Sequence, residues 1–231
     1  MPGAHDSQHP RLQHHFDNLD QQFEASALGM WLFLVTEILF FGGLFMAYMI
    51  YRLSYPEAFA EASHELDIVL GGVNTAVLIG SSLTMAMAVW SAQLGKRSGQ
   101  MLFLALTIGL GLVFLGIKAV EYGHKFEHGL VPGANFRFEG RDPLHAQLFF
   151  SLYFVMTGLH AVHMIVGIGI MAVLFAMAYQ GRFTKAYHTP VEVSGLYWHF
   201  VDIVWIFLFP LLYLIDRHGP VVGHSGLGIG E

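Results

Sequence analysis

The chain has 231 residues, 55% of them hydrophobic and 12% charged, about half the charged fraction of a soluble domain, so it reads as an integral membrane protein. A net charge of −6 with 11 Lys plus Arg argues against nucleic acid as a partner, because that recognition rests on dense positive charge. The absence of cysteine excludes disulfides, thiolate metal sites, iron–sulfur clusters and a two-copper thiolate centre.

Residues 1–24 are polar and carry His5, His9, His14 and His15. They lack the apolar core of a cleaved signal peptide, so the first membrane helix is expected to act as the insertion signal and stay. The histidines read as a solvated segment rather than a metal tract. Phe16, Leu19 and Phe23 recur at helical spacing and suit a membrane surface or a partner.

Five apolar stretches follow. The first span is predicted over about 25–52, and residues 54–64 read as an acidic loop around Pro56. The second covers about 66–94, with Gly71, Gly72, Gly80, Ser81, Ser82 and Ser91 as small residues that let membrane helices approach. The third covers about 99–122 and leads into the longest loop, 123–143. The fourth, about 144–180, is too long for one perpendicular span and must tilt or project. The fifth covers about 191–216 and contains Pro210, which removes a helix hydrogen bond and is expected to kink it. The expected organisation is a polar segment 1–24, an all-α five-helix membrane domain 25–216 and a flexible tail 217–231. The short turns carry Lys96, Arg97, Arg182 and Lys185 without acids beside them. The positive-inside rule then puts the N-terminus in the cytoplasm and the C-terminus outside.

Ionisable groups inside these spans need an explanation, because a charge at the bilayer centre costs roughly 2.5–3.5 kcal/mol even on insertion scales. Glu37 is the one ionisable side chain in Leu28–Tyr51. From position it suits a proton relay, a lipid head-group or ion contact, or a hydrogen bond to another helix. His160 and His163 share a face of the fourth helix at i, i+3. His199 and Asp202 do the same on the fifth, and Asp202 lies at roughly the depth of Glu37. A mid-membrane cluster of Glu37, His199 and Asp202 is expected, with the His160 pair joining it or facing Glu121. His160 and His163 read as interhelical hydrogen-bonding groups rather than metal ligands. Asn74 is expected to bond a neighbouring helix. Glu121, flanked by Lys118 and Lys125, reads as part of an interfacial ion-pair set. Trp31 and Trp90 read as interface anchors, and Trp198 and Trp205 as packing aromatics. No nucleophilic triad, phosphate loop or nucleotide fingerprint fits these helices.

Five stretches carry a family resemblance: LGMWLFLVTEILFFGGLFMAY, VNTAVLIGSSLT, IKAVEYGHKF, FFSLYFVMTGLHAVHMIVG and YWHFVDIVWIFLF. In this order, one per helix over about 25–216, they resemble subunit III of the haem–copper oxidases, cytochrome c oxidase in particular. HHFDNLDQQFEAS is similar to bacterial members. The resemblance implies a subunit without catalytic residues, metal ligands or redox cofactors of its own, haem and copper residing in partner subunits. It implies packing on oxidase subunit I, with subunit II and a small subunit IV as further candidates. It also implies bound phospholipid, support of proton uptake and sustained turnover, and a place in the bacterial inner membrane. Glu37 matches the family's carbodiimide-reactive membrane glutamate. His199 and Asp202 join it as lipid- or proton-related residues; Asn74, Glu121, His160 and His163 are implied structural contacts. Many members have seven helices, the first two splayed to form a lipid-filled cleft, and the stretches here match the last five.

Quinol oxidases in the family often have five helices, usually with aspartate at the Glu37 position, so the glutamate and the Glu121–Tyr122 pair point to the cytochrome c branch. Two readings from other classes remain. One is a b-type cytochrome using histidines of the fourth and fifth helices. The other is a proton-conducting membrane protein using Glu37.

Overall fold

The computed structural model describes residues 12–133 and 135–215; His5, His9 and the tail 217–231 lie outside the described residues. Six helices occur in it: α1 (Leu19–Ser54), α2 (Pro56–His64), α3 (Ile68–Gln93), α4 (Arg97–Glu127), α5 (Pro143–Tyr179) and α6 (Thr189–Tyr213). All but α2 are long and apolar enough to cross a membrane. No named strand occurs among the described residues.

Local chemistry sets the helix ends. Asn18 caps α1 by accepting from the Gln21 amide at 2.8 Å, while the Gln21 side chain accepts from the Asp17 amide at 2.7 Å. This reciprocal arrangement resembles a capping box and starts α1 six residues before the predicted span. Asp67 accepts from the amides of Val69 and Leu70 to open α3. Asp142 opens α5 by accepting from the His145 amide, and its other oxygen lies 2.5 Å from His145 Nδ1. That side-chain bond holds the Asp142 carboxyl below its usual range. The α3 and α5 ends turn at Gly95 (φ 70°) and Gly181 (φ 68°), conformations that exclude a Cβ at little cost only in glycine.

The stretch expected as a loop at 54–64 is helical instead. Pro56 stands in the first turn of α2, where its missing N–H costs nothing. The Ala- and Glu-rich sequence after it favours helix. Phe59 and Ala62 are fully buried, and α2 packs chiefly on α5. The polar end of α4 also stays helical to Glu127, five residues past the expected stop. Helix α6 continues through Pro210 to Tyr213.

Four helices close a ring, α3 on α4, α4 on α5, α5 on α6 and α6 back on α3, and α1 packs on α5 and α6 from outside. The ring is filled by aromatics, among them Trp198, Trp205, Tyr153, Tyr213 and Phe114, each fully buried. Trp198 fits because two helices are notched for it. A Cβ on Gly111 would lie 3.0 Å from its Cη2, and one on Gly167 3.0 Å from its Cε3. Its Nε1 donates to Ser81 Oγ at 3.2 Å. Trp31 and Trp90 are half exposed on the outside, where a bilayer interface would meet them.

Candidate functional site

The side chains that matter chemically project from these helices into three separate places. The first lies inside the ring, where α4, α5 and α6 meet. Lys118 Nζ lies 3.0 Å from Glu121 Oε2 and donates to the Tyr213 hydroxyl at 2.9 Å and the Tyr153 hydroxyl at 3.2 Å. Those hydroxyls in turn donate to Glu121 Oε1 at 2.5 Å and 2.9 Å. The ammonium also sits 5.1 Å from the centre of the Trp205 ring, within cation–π range. Lys118 is 3% exposed and Glu121 2%. The expectation of an interfacial ion-pair set of Glu121 with Lys118 and Lys125 therefore differs from what the fold builds. The pair is enclosed, and Lys125 bonds elsewhere, to the backbone carbonyl of Glu65. A buried carboxylate and ammonium at i, i+3 are tolerable when every remaining donor and acceptor is matched, and the tyrosine hydroxyls do that here.

The second place is on the outer side of the ring, between α1 and α5. His163 Nε2 lies 3.1 Å from Glu37 Oε2. Its other nitrogen, Nδ1, lies 2.8 Å from the Leu159 carbonyl. A carbonyl only accepts, so Nδ1 carries a proton. In the neutral ring Nε2 is then bare, and its contact with Glu37 needs one further proton, held either by the carboxyl or by the imidazole. The pair is thus a one-proton unit with two resting places 3.1 Å apart. The Tyr197 hydroxyl donates to the His163 carbonyl at 3.0 Å, and Phe41 packs edge-on against the imidazole.

The third place is between α3 and α6. Ser82 Oγ lies 2.7 Å from His199 Nδ1. Asp202 stands one turn further along, 3% exposed, with its carboxyl beside the Ser82 side chain.

The cluster expected from depth alone is thus divided. Glu37 meets His163 and not Asp202; His199 and Asp202 share the α3 side of α6 with Ser82. His160 faces neither Glu37 nor Glu121 as a hydrogen-bond partner. It is fully buried between the rings of Phe114 and Trp205, its ring nitrogens unpartnered. Asn74 reaches across to α4 and donates to the Phe114 carbonyl at 3.4 Å. Among the described residues no three His, Asp or Glu side chains converge as a metal site. His160 and His199 have separate surroundings and do not face one another as paired axial ligands would. Sequence reasoning did not single out Tyr153 and Tyr213, and it took Ser82 only as a small packing residue. The available signal for the tyrosines was the need of a buried Lys118–Glu121 pair for further hydrogen-bonding partners.

The profile of the family described as Cytochrome c oxidase subunit III matches residues 14–216. A cytochrome c oxidase subunit 3 from Synechocystis sp. is 37% identical over 188 residues, covering 81% of this chain and 74% of that protein. Its counterpart from Corynebacterium diphtheriae is 35% identical over 192 residues, 82% and 88% of the two chains. A protein from Staphylococcus haemolyticus named "Probable quinol oxidase subunit 3" is 30% identical over 203 residues, 86% and 93%. With the matched region spanning all five membrane helices, the chain belongs to the cytochrome c oxidase subunit III family.

Proposed function

We infer that this chain is the non-redox accessory subunit of an aerobic bacterial cytochrome c oxidase in the inner membrane. Its N-terminus is cytoplasmic and its C-terminus external. It packs on subunit I, next to subunit II and a small subunit IV, binds phospholipid, and supports proton uptake through sustained turnover. Haem and copper belong to the partners. The one-proton pair of Glu37 and His163 carries the proton part of this reading. It is only partly enclosed, with side chains 19% and 18% exposed, so a proton can be exchanged with groups outside the bundle as well as within the pair. Glu121 cannot serve in this way, because its oxygens are already committed to Lys118 and two tyrosines.

The test is to purify the oxidase with and without this chain. Without it, the initial oxygen-reduction rate stays within about twofold and decays over successive turnovers. An unchanged time course, or a haem absorption spectrum that follows the isolated chain, overturns the reading. A second reading, subunit III of a quinol oxidase, is favoured by the Staphylococcus relative. Turnover with reduced quinol but not with reduced cytochrome c selects it.

A further inference from the structure

Asp202 is compensated differently from the other carboxyls inside the bundle. It stands thirteen residues into α6, about 20 Å from the helix start, and is 3% exposed. Glu121 has Lys118 and two tyrosines, and Glu37 has His163. The polar group beside Asp202 is the Ser82 side chain, and its oxygens are engaged by no other group among the described residues.

Ser82 is suited to pass a proton on. The hydroxyls of Thr75, Ser81 and Thr84 on the same helix each donate to a backbone carbonyl of α3. Ser82 Oγ instead lies 2.7 Å from His199 Nδ1. A hydroxyl both donates and accepts, and an imidazole can do either at each nitrogen, so the two can exchange a proton.

The other imidazole nitrogen, Nε2, is left for a cavity of about 550 Å³ that His199 lines together with Gln93 and Glu192. Glu192 lies in the first turn of α6, accepts from Gln93 at 2.5 Å and lies 3.2 Å from His188 Nε2. Seven residues separate Glu192 from His199, about 10 Å along the helix, which about three hydrogen-bonded waters cover. At about 30 Å³ of liquid volume per water, the cavity has room for them. Helix α1 lines it with Phe23, Ala27 and Trp31 and brings no titratable group. A second cavity, of about 440 Å³, has His199 and Asp202 as its titratable groups.

We propose that His199, Ser82 and Asp202 form a proton relay, through which the buried Asp202 carboxyl exchanges a proton with water entering at the start of α6 beside Glu192 and His188. In one end state Asp202 is ionised, Ser82 donates to it, His199 Nδ1–H donates to Ser82 Oγ, and Nε2 is bare. Hydronium in the cavity gives a proton to Nε2 and becomes water. Nδ1 then passes its proton to Ser82 Oγ as Ser82 passes its own to Asp202. In the other end state the imidazole is neutral and protonated on Nε2, the serine is unchanged, and the carboxylic acid donates back to Ser82. One proton enters and one is stored; release is the same sequence reversed. Both end states keep the three groups hydrogen-bonded to one another, as groups at membrane depth require. The relay is distinct from the Glu37–His163 pair and needs only that the bundle spans a membrane, whichever oxidase the chain serves.

The experiment follows the full chain in its purified complex, held in lipid nanodiscs, by infrared spectroscopy through a pH series and a switch from light to heavy water. The expected signal is a protonated-carboxyl band, missing from Asp202→Asn, that grows as the pH falls and shifts within seconds of the switch. Ser82→Ala slows that shift about tenfold, and Ser82→Thr, which keeps the hydroxyl, restores the parent rate. His199→Gln keeps a hydrogen bond to Ser82 but has no ring to carry a proton from one nitrogen to the other, and it slows the shift by a similar factor. A parent band that neither titrates nor exchanges overturns the relay, as does exchange in Ser82→Ala and His199→Gln as fast as in the parent.

Discussion

His163 Nε2 and Glu37 Oε2 lie 3.1 Å apart across the α1–α5 contact, 126 residues apart in sequence. The bond from His163 Nδ1 to the Leu159 carbonyl settles which nitrogen faces the carboxyl and makes the contact depend on a single shared proton. Glu37→Gln keeps the contact, since the amide N–H can donate to the bare nitrogen, but it removes the exchangeable proton. The initial oxygen-reduction rate of the assembled oxidase is expected to stay within about twofold, while labelling of the chain by a hydrophobic carbodiimide falls to background. Stopped-flow oxygen consumption and mass spectrometry of the labelled chain check the two halves separately.

Lys118 and Glu121 should be costly to remove singly and cheaper to remove together. Lys118→Met leaves a buried carboxyl facing two tyrosine hydroxyls, and breaking one partner of a buried pair typically costs about 3–5 kcal/mol. Membrane-embedded hydrogen bonds run smaller, near 0.6 kcal/mol on average, so a loss of about 1–4 kcal/mol is expected. The double variant Lys118→Met with Glu121→Leu should lose less than the sum of the singles. A double-mutant cycle on unfolding in mixed detergent micelles measures this.

The notches for Trp198 predict opposite outcomes for two glycines on one helix. Gly167→Ala sets a methyl group 3.0 Å from a fully buried indole that is tied to Ser81. It should destabilise by about 1–3 kcal/mol through overpacking. Gly169→Ala meets nothing within 4 Å and should stabilise by up to about 1 kcal/mol through helix propensity. Thermal unfolding midpoints of the two variants should move in opposite directions.

At the start of α5 the expected effect is a pH dependence. The side-chain bond from His145 lowers the Asp142 carboxyl below its usual value. A lowered folded-state pKa means stability that is present above the ordinary aspartate value of about 3.9 and lost as the pH falls through the lowered one. Asp142→Asn keeps an amide-type cap and loses the charge. It should be slightly less stable than the parent at pH 7, and the difference should disappear at strongly acidic pH. Unfolding midpoints at pH 7, 5 and 3 test the sign.

The elements differ in how readable they were. Spans α3 and α5 were placed to within two residues because each is apolar throughout and flanked by a turn glycine or a capping aspartate. The start of α1 was missed because its first residues are polar, although Asn18 and Gln21 together are a start signal of known geometry. Helix α2 was read as a loop because Pro56 and nearby acids resemble turn chemistry. Its buried face, Phe59 and Ala62, acquires meaning only once α5 lies against it.

Composition and order of motifs alone determined that this is a five-span membrane protein of the subunit III family. Transfer to hydrocarbon depends on residue type and run length, which are written locally in the chain. Which intramembrane polar groups meet is a different kind of fact. Glu37, His163, His199 and Asp202 lie at similar depths, and depth is all that residue number conveys. The partner of each depends on which face of each helix turns inward, and that is set by how Trp198 and the other large aromatics pack among α3, α4, α5 and α6. Only the assembled bundle therefore decided that Glu37 meets His163, that Glu121 closes a buried network with Lys118, Tyr153 and Tyr213, and that His199 lines open cavities beside α6.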